Sequence, residues 1–276
     1  MICKNPAPGA PGIEPRWTGG ASCVYCSAEG QVLLAYIARE ERAKLPAKNL
    51  AELLAAVKQT LPVSPERLPT WNYIWELLLA NPEQITRDFA AAGRQGIEGR
   101  VEQPSALRGS AGEVYVAPGA VVHPLAAIDA ERGPVYLDEG VQVHPFTRIE
   151  GPCYVGPHSI LLGAKCREGN SIGPMCRIGG EVEESIIQGY SNKYHDGFLG
   201  HAYVGQWVNL GALTTNSDLK NDYSDVKITL DGHTQLSTAS TKVGALIGDH
   251  TKTSIGTLLN TGTCVGAMTL LVPSGW

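Results

Sequence analysis

From about residue 114 onward, aliphatic residues recur at every sixth position. They fall at Val116, Val122 and Ile128, then at Leu137, Val143, Ile149, Val155 and Leu161, and again at Cys166, Ile172 and Ile178. After a gap the series returns at Val204 and Leu210, and then at Ile247, Thr253, Leu259, Val265 and Leu271, with the threonine as its weak member. A helix needs a period of 3.6 and a half-buried strand a period of two, so neither explains this spacing. Glycine follows many of these anchors (Gly156, Gly173, Gly179, Gly205, Gly211, Gly248, Gly266), and proline occupies the next place at Pro118, Pro124, Pro145, Pro157 and Pro174. Glycine admits unusual backbone angles and proline presets one, so each hexad reads as a short strand ending in a corner. Three such strands close one triangular coil, and stacked coils pair each strand with the one above.

The expected fold is therefore mainly β: a left-handed parallel β-helix of hexapeptide repeats with a small N-terminal helical appendage. Residues 1–112 form the irregular and helical part, and residues 113–276 form the β-helix. The helical patterns run over 47–61 and 72–92, and Pro82 kinks the second or starts a new helix there. A polar stretch at about 187–242 interrupts the aliphatic series and reads as a loop insert that leaves the prism. It contains HDGFLGHAYVGQWVNLGALTTNSDLKN, residues 195–221.

Composition agrees with a chain that turns often, with 32 glycines, 18 prolines and only 18% charged residues against a usual ~25%. A formal net charge of -5 and the lack of any Lys/Arg cluster argue against a nucleic-acid partner. Apolar runs such as residues 31–38 are far shorter than a bilayer crossing needs, and the N-terminus lacks a signal-peptide apolar region. The expectation is a cytoplasmic protein with no membrane partner. Seven cysteines do not make a disulfide framework. Cys23 and Cys26, with Cys3 upstream, could begin a zinc site, but a structural zinc wants four ligands and no second pair follows, so no metal is expected.

The hexads Val155-Gly-Pro and Ile172-Gly-Pro, followed by KYHDGFLGHAYVGQWVNLGA, resemble the left-handed β-helix acyltransferase superfamily. Within it the likeness is to the C-terminal half of bifunctional sugar-1-phosphate nucleotidyltransferase/N-acetyltransferases and their sugar-nucleotidyltransferase relatives. It covers roughly residues 70–276. The phosphate-cradling loop of the nucleotidyltransferase domain has no counterpart in GAPGIEPRWTGGAS, so nucleotidyl transfer, with its Mg2+, is not expected of this chain alone. The chain also stops at Trp276 directly after a hexad, which suggests part of a longer enzyme.

The resemblance implies a homotrimer in which acetyl-CoA lies between neighbouring prisms and a histidine removes a proton from the amine of an amino-sugar 1-phosphate. That chemistry wants a base titrating near neutrality and backbone N–H groups aimed at the developing oxyanion. It places His195 as the catalytic base. Lys193, Asn209, Asp218 and Lys227 fall at sugar-phosphate positions, and Ala212, Asp249 and Ala267 at acetyl-CoA positions. Three residues depart from the family pattern: Phe198 stands where tyrosine is common, Asp218 where asparagine is, and Ser224 where some members have lysine. His201 is expected to be structural, Tyr203 and Trp207 to be packing residues, Asn216 to cap a corner or serve the site, and Lys220 to be solvated. Two other readings stand beside acetyl transfer. One is a non-catalytic trimerising β-helix of a sugar-1-phosphate nucleotidyltransferase. The other, a three-histidine zinc enzyme, is disfavoured because His195 and His201 lie six residues apart, on different faces of a regular coil.

Overall fold

Period-six patterning produces three columns of inward side chains in the computed structural model, which describes residues 21–45, 47–65, 68 and 70–272. Each column belongs to one parallel sheet of a three-sided solenoid. The first face is nine-stranded and stacks Ile97, Val116, Leu137, Val155, Ile172, Ile187, Val204, Ile247 and Val265 in register. On the second face Val101, Val122, Val143, Leu161, Ile178 and Lys193 are successive partners. Asn209 continues this face through bridges to Asn192 and Lys252. The third face stacks Leu107, Ile128, Ile149, Cys166, Val182 and Leu199, and the pair Asn216 and Leu259 lies beyond them. Nearly all the aliphatic members of these columns form one continuous apolar core. The mainly β, stacked-coil architecture read from the hexads is the observed one.

Two boundaries differ from expectation. The solenoid begins at Gly96, where Gly96–Ile97 pairs with Val114–Val116, well before residue 113. The polar stretch does not leave the prism at 187. Strands Ile186–Ile187, Asn192–Lys193, Phe198–Gly200, Tyr203–Val204 and Thr215–Asn216 complete ordinary coils. The excursion is confined to about 217–243 and carries the antiparallel hairpin Lys227–Thr229/Gln235–Ser237. The aliphatic count breaks earlier than the fold does because two inward positions in this region, Lys193 and Asn216, are polar. A further inward step, from Ile178 to Val182, is shorter than six residues.

The described residues form two compact units, one within Pro11–Asn72 and one from Tyr73 onward. The first pairs strand Cys23–Cys26 antiparallel with Val32–Tyr36, followed by helices α1 (Arg39–Arg42) and α2 (Leu50–Thr60). Asn49 caps α2 by accepting from the Glu52 N–H at 2.9 Å, satisfying a donor that the helix itself cannot. Cys23 and Cys26 are free, half-buried thiols. Cys3 lies outside the described residues, and with it the three-cysteine arrangement.

In the second unit, α3 (Ile74–Leu79) and α4 (Asn81–Ala92) are separate helices, the second with Pro82 in its first turn, where a missing N–H costs nothing. They are built onto the solenoid rather than appended to it. Trp75 and Leu78 pack with Ile186 and Leu246 of the first face and with Val226, Ile228 and Val243 of the excursion. Phe89 packs with Tyr115 and Tyr136. Buried Asn81 donates to the Gly169 carbonyl and accepts from the Ser171 hydroxyl, both at 2.8 Å. Among the described residues, no helix is long and apolar enough to cross a membrane.

Candidate functional site

Two edges flank the second face, and the sequence-predicted residues divide between them. His195 sits on the corner that follows Lys193, exposed to solvent, with its ring edge-on to Tyr194 at 5.9 Å between centroids. Ala212 is half-buried on the corner of the next coil. The Leu213 N–H donates to the Asp196 carbonyl at 2.8 Å, which ties these two corners together. The Ala212 carbonyl accepts from the Gly256 N–H at 2.8 Å, while its own N–H has no partner among the described residues. An exposed imidazole and an uncommitted amide N–H therefore occupy consecutive steps of one edge. Asn209 lies on the adjoining face, exposed, its Oδ1 accepting from Asn192 at 3.3 Å.

Asp249 and Ala267 lie on the opposite edge. Asp249 accepts from the Gln206 N–H at 2.8 Å, and a Cβ on neighbouring Gly248 would sit 2.5 Å from the Ala267 nitrogen, so the two coils are in close contact there. This edge carries a ladder that sequence reasoning missed. His158, Met175, Tyr190, Trp207, His250 and Met268 each follow an inward first-face residue by three positions and adopt φ between 58° and 62°. Side chains in this left-handed region are uncommon. Three of them stack here: Tyr190 and Trp207 lie 4.5 Å apart, and Trp207 and His250 lie 6.3 Å apart, with nearly parallel rings. The Lys252 ammonium caps the Trp207 carbonyl. Trp207 is thus an exposed stacking residue, while Tyr203 is half-buried against the α3 cluster. The signal that could have found the ladder was the fixed offset of three from each first-face anchor.

Lys193, expected to meet a sugar phosphate, is 3% exposed and points into the prism as a member of the second column. Its ammonium donates to the carbonyls of Gly179 (2.9 Å) and His195 (2.7 Å), and burial lowers its pKa to about 8. It is committed inside and does not face a ligand.

Asp218, also expected at the substrate, is buried and accepts a 2.8 Å bond from Nδ1 of His201, whose Nε2 lies 3.2 Å from Glu184. Burial opposes charge on the imidazole, but hydrogen bonds to both carboxylates outweigh it and lift its pKa to about 9. Burial likewise opposes the Asp218 carboxylate, and the His201 bond and charge, helped by Lys242, still hold its pKa below the ordinary value. His201 is the structural residue expected. Asn216 is also structural: turned inward, it accepts from the Gly200 N–H at 3.0 Å and donates to the Gly200 carbonyl at 2.9 Å.

Lys227 is exposed on the hairpin and, with Lys220, Asp222, Ser224, Asp225 and Asn260, lines an open cleft of about 990 Å³ beside the excursion. Lys220 is engaged with Ser224 and with Asp222 at 3.5 Å. Phe198 is half-buried on the third face, its N–H donating to Thr215 at 3.3 Å. Among the described residues Glu168, Glu183 and Glu184 bring carboxylate oxygens within 4.8 Å of one another, the spacing a metal would need. Arg167, 2.6 Å from Glu183, Lys242 at 3.4 Å from Glu183 and His201 at 3.2 Å from Glu184 answer two of these charges, whereas Glu168 has Arg132 at 3.9 Å and a buried Oε2 with no hydrogen-bond partner among the described residues.

No family model matches the chain. Over 120 residues it is 32% identical to a bifunctional sugar-1-phosphate nucleotidylyltransferase/acetyltransferase of Sulfurisphaera tokodaii, covering 44% of this chain and 27% of that protein. Over 144 residues it is 40% identical to the bifunctional protein GlmU of Rippkaea orientalis, covering 51% of this chain and 30% of the relative. GlmU of Azoarcus sp. is 36% identical over 83 residues, 28% of this chain and 17% of the relative. The chain spans less than a third of the length of each of these relatives. Its homologues are bifunctional enzymes of this kind, and its β-solenoid is the architecture the hexad likeness implied.

Proposed function

We propose that the solenoid is an acetyltransferase domain that moves an acetyl group from acetyl-CoA to the amine of an amino-sugar 1-phosphate, working as a homotrimer. The observation that carries the reading is the placement of the exposed His195 imidazole and the unpartnered Ala212 N–H on consecutive corners of one edge. The substrate amine attacks the thioester carbonyl, His195 accepts its proton, and the Ala212 N–H donates to the tetrahedral oxyanion. Collapse of the intermediate breaks the C–S bond, and the thiolate leaving group takes the proton back from His195. Asp249 and Ala267 lie across the second face from His195, so a groove shared with a neighbouring prism would let both edges line one cofactor. The acetyltransferase name of the Sulfurisphaera tokodaii relative supports the reaction class. Of the lysines first assigned to the phosphate, Lys227 remains available at the cleft.

The test is release of free thiol from acetyl-CoA in the presence of glucosamine 1-phosphate or galactosamine 1-phosphate. Turnover that falls by 100-fold or more in His195→Ala, with the protein still folded, supports the proposal. Absence of CoA binding favours a second reading, a trimerising β-helix without acyl transfer. Two observations lean that way: Phe198 brings no hydroxyl to the third face, and Asp218 is occupied by His201.

A further inference from the structure

The coil beneath His195 is short where its own coil is long. On the second and third faces, inward partners Ile178 and Val182 are four residues apart, whereas Lys193 and Leu199, stacked directly on them, are six apart. The corner at 194–197 therefore has two more residues than the corner it rests on, and main-chain ladder bonding cannot stay in step. Gly179 and Gly180 form the short corner. A Cβ at Gly179 would lie 2.0 Å from the Tyr194 carbonyl oxygen, and one at Gly180 would lie 2.7 Å from the Lys193 nitrogen. Two carbonyls are left over by the mismatch, Gly179 O below and His195 O above, and among the described residues no main-chain N–H donates to either. The Lys193 ammonium donates to both. An aliphatic residue, as at the five preceding positions of this column, would leave both oxygens without a donor.

We infer that Lys193 is a positioning residue for the proposed acyl transfer, fixing the His195 corner from inside the prism by holding the His195 carbonyl. The inference rests on the reading of His195 as the base, but the geometry of the corner does not. Lys193 touches no reacting atom; it sets the main-chain direction from which the imidazole projects. Burial lowers the Lys193 pKa to about 8 against the opposing pull of Asp196, and the ammonium is not reachable from solvent.

Three variants test the inference: Lys193→Met, which keeps length and loses the donors; Lys193→Gln, which keeps a donor in the column; and Leu161→Ala, which weakens the same column without touching the corner. Lys193→Met is expected to lower kcat ten-fold or more with KM for both substrates within two-fold, and Lys193→Gln to fall between it and wild type. Leu161→Ala is expected to lower Tm while kcat stays within two-fold at a temperature where all variants are folded. In parallel, amide hydrogen exchange across 194–197 is expected to accelerate at least ten-fold in Lys193→Met and not in Leu161→Ala. An unchanged kcat in an active enzyme, or equal losses in Lys193→Met and Leu161→Ala, overturns the inference. If wild type itself proves inactive, the acyl-transfer reading has failed instead, and exchange alone decides whether Lys193 holds the corner: unaltered protection across 194–197 overturns it. Should Lys193→Met not fold, Lys193→Gln is judged against Leu161→Ala by the same two measurements.

Discussion

Nδ1 of His201 donates to the Asp218 carboxylate at 2.8 Å, joining the third-face edge of one coil to the start of the excursion that leaves the next. A charged imidazole between two carboxylates is thus the tether from which residues 217–243 depart.

That tether makes stability depend on pH. His201 titrates near 6.5 when unfolded and near 9 in the fold, so its contribution is fully present below about 6.5 and is lost as pH rises through 9. Asp218 and Glu184, with depressed values, contribute above the ordinary carboxylate range and lose that contribution as pH falls through their folded values. Lys193 runs the other way from His201. Its pKa falls from 10.5 to about 8, so the cost of burying its charge is relieved between those values as pH rises. Thermal melts across pH 5–10 are expected to show Tm decreasing from about 6.5 toward 8, with the relief at Lys193 offsetting further loss above that. In His201→Gln that decline is expected to disappear, with Tm at pH 6 lower by on the order of 5 °C. A wild-type Tm that is flat over this interval would sink the assignment of a charged His201.

The register of the columns is directly testable at adjacent residues. Leu161 points inward and is fully buried, while Ile160 precedes it in the same strand and is half-buried on the outer side. Leu161→Asp buries an unpaired charge and is expected to cost several kcal/mol or abolish folding, whereas Ile160→Asp is expected to cost about 1 kcal/mol. Chemical denaturation of the two variants checks the difference, and equal losses contradict the alternation.

Asn216 offers a case where filling an apolar column harms the protein. Asn216→Leu removes the donor and acceptor for the Gly200 main chain, which is buried, and is expected to destabilise by roughly 2–4 kcal/mol despite the added hydrophobic surface. Urea unfolding is the measurement, and a neutral or stabilised variant would show that the Gly200 bonds contribute nothing net.

Thiol reactivity should divide the cysteines into two groups. Burial pushes the Cys166 thiol up to about 12 and the Cys176 thiol up to about 11, and raises that of Cys153 well above its ordinary value. All three are buried, whereas Cys264 is exposed and Cys23 and Cys26 are partly so. A disulfide reagent at pH 8 is expected to modify Cys23, Cys26 and Cys264 at least 100-fold faster than the buried three, which react only on unfolding. Rapid native-state labelling of Cys166, read by peptide mass mapping, would contradict the packed column.

The hexad spacing by itself determined the architecture, because a side chain that must point inward once per strand leaves a periodic mark that survives without any knowledge of contacts. It determined the helix break at Pro82 for an equally local reason: the ring forbids one main-chain bond wherever it stands. It could not show that the coil continues through Lys193 and Asn216, since a polar residue in an inward place looks, in one dimension, like an exposed one. Only stacking reveals that Lys193 lies above Ile178 and meets two carbonyls stranded by corners of unequal length. The partners of Asp218 were beyond reach for the same reason, as His201 lies seventeen residues away and Glu184 on the coil beneath. Spacing along the chain decides which way a residue faces within its own coil, whereas what it touches is decided by the coils above and below.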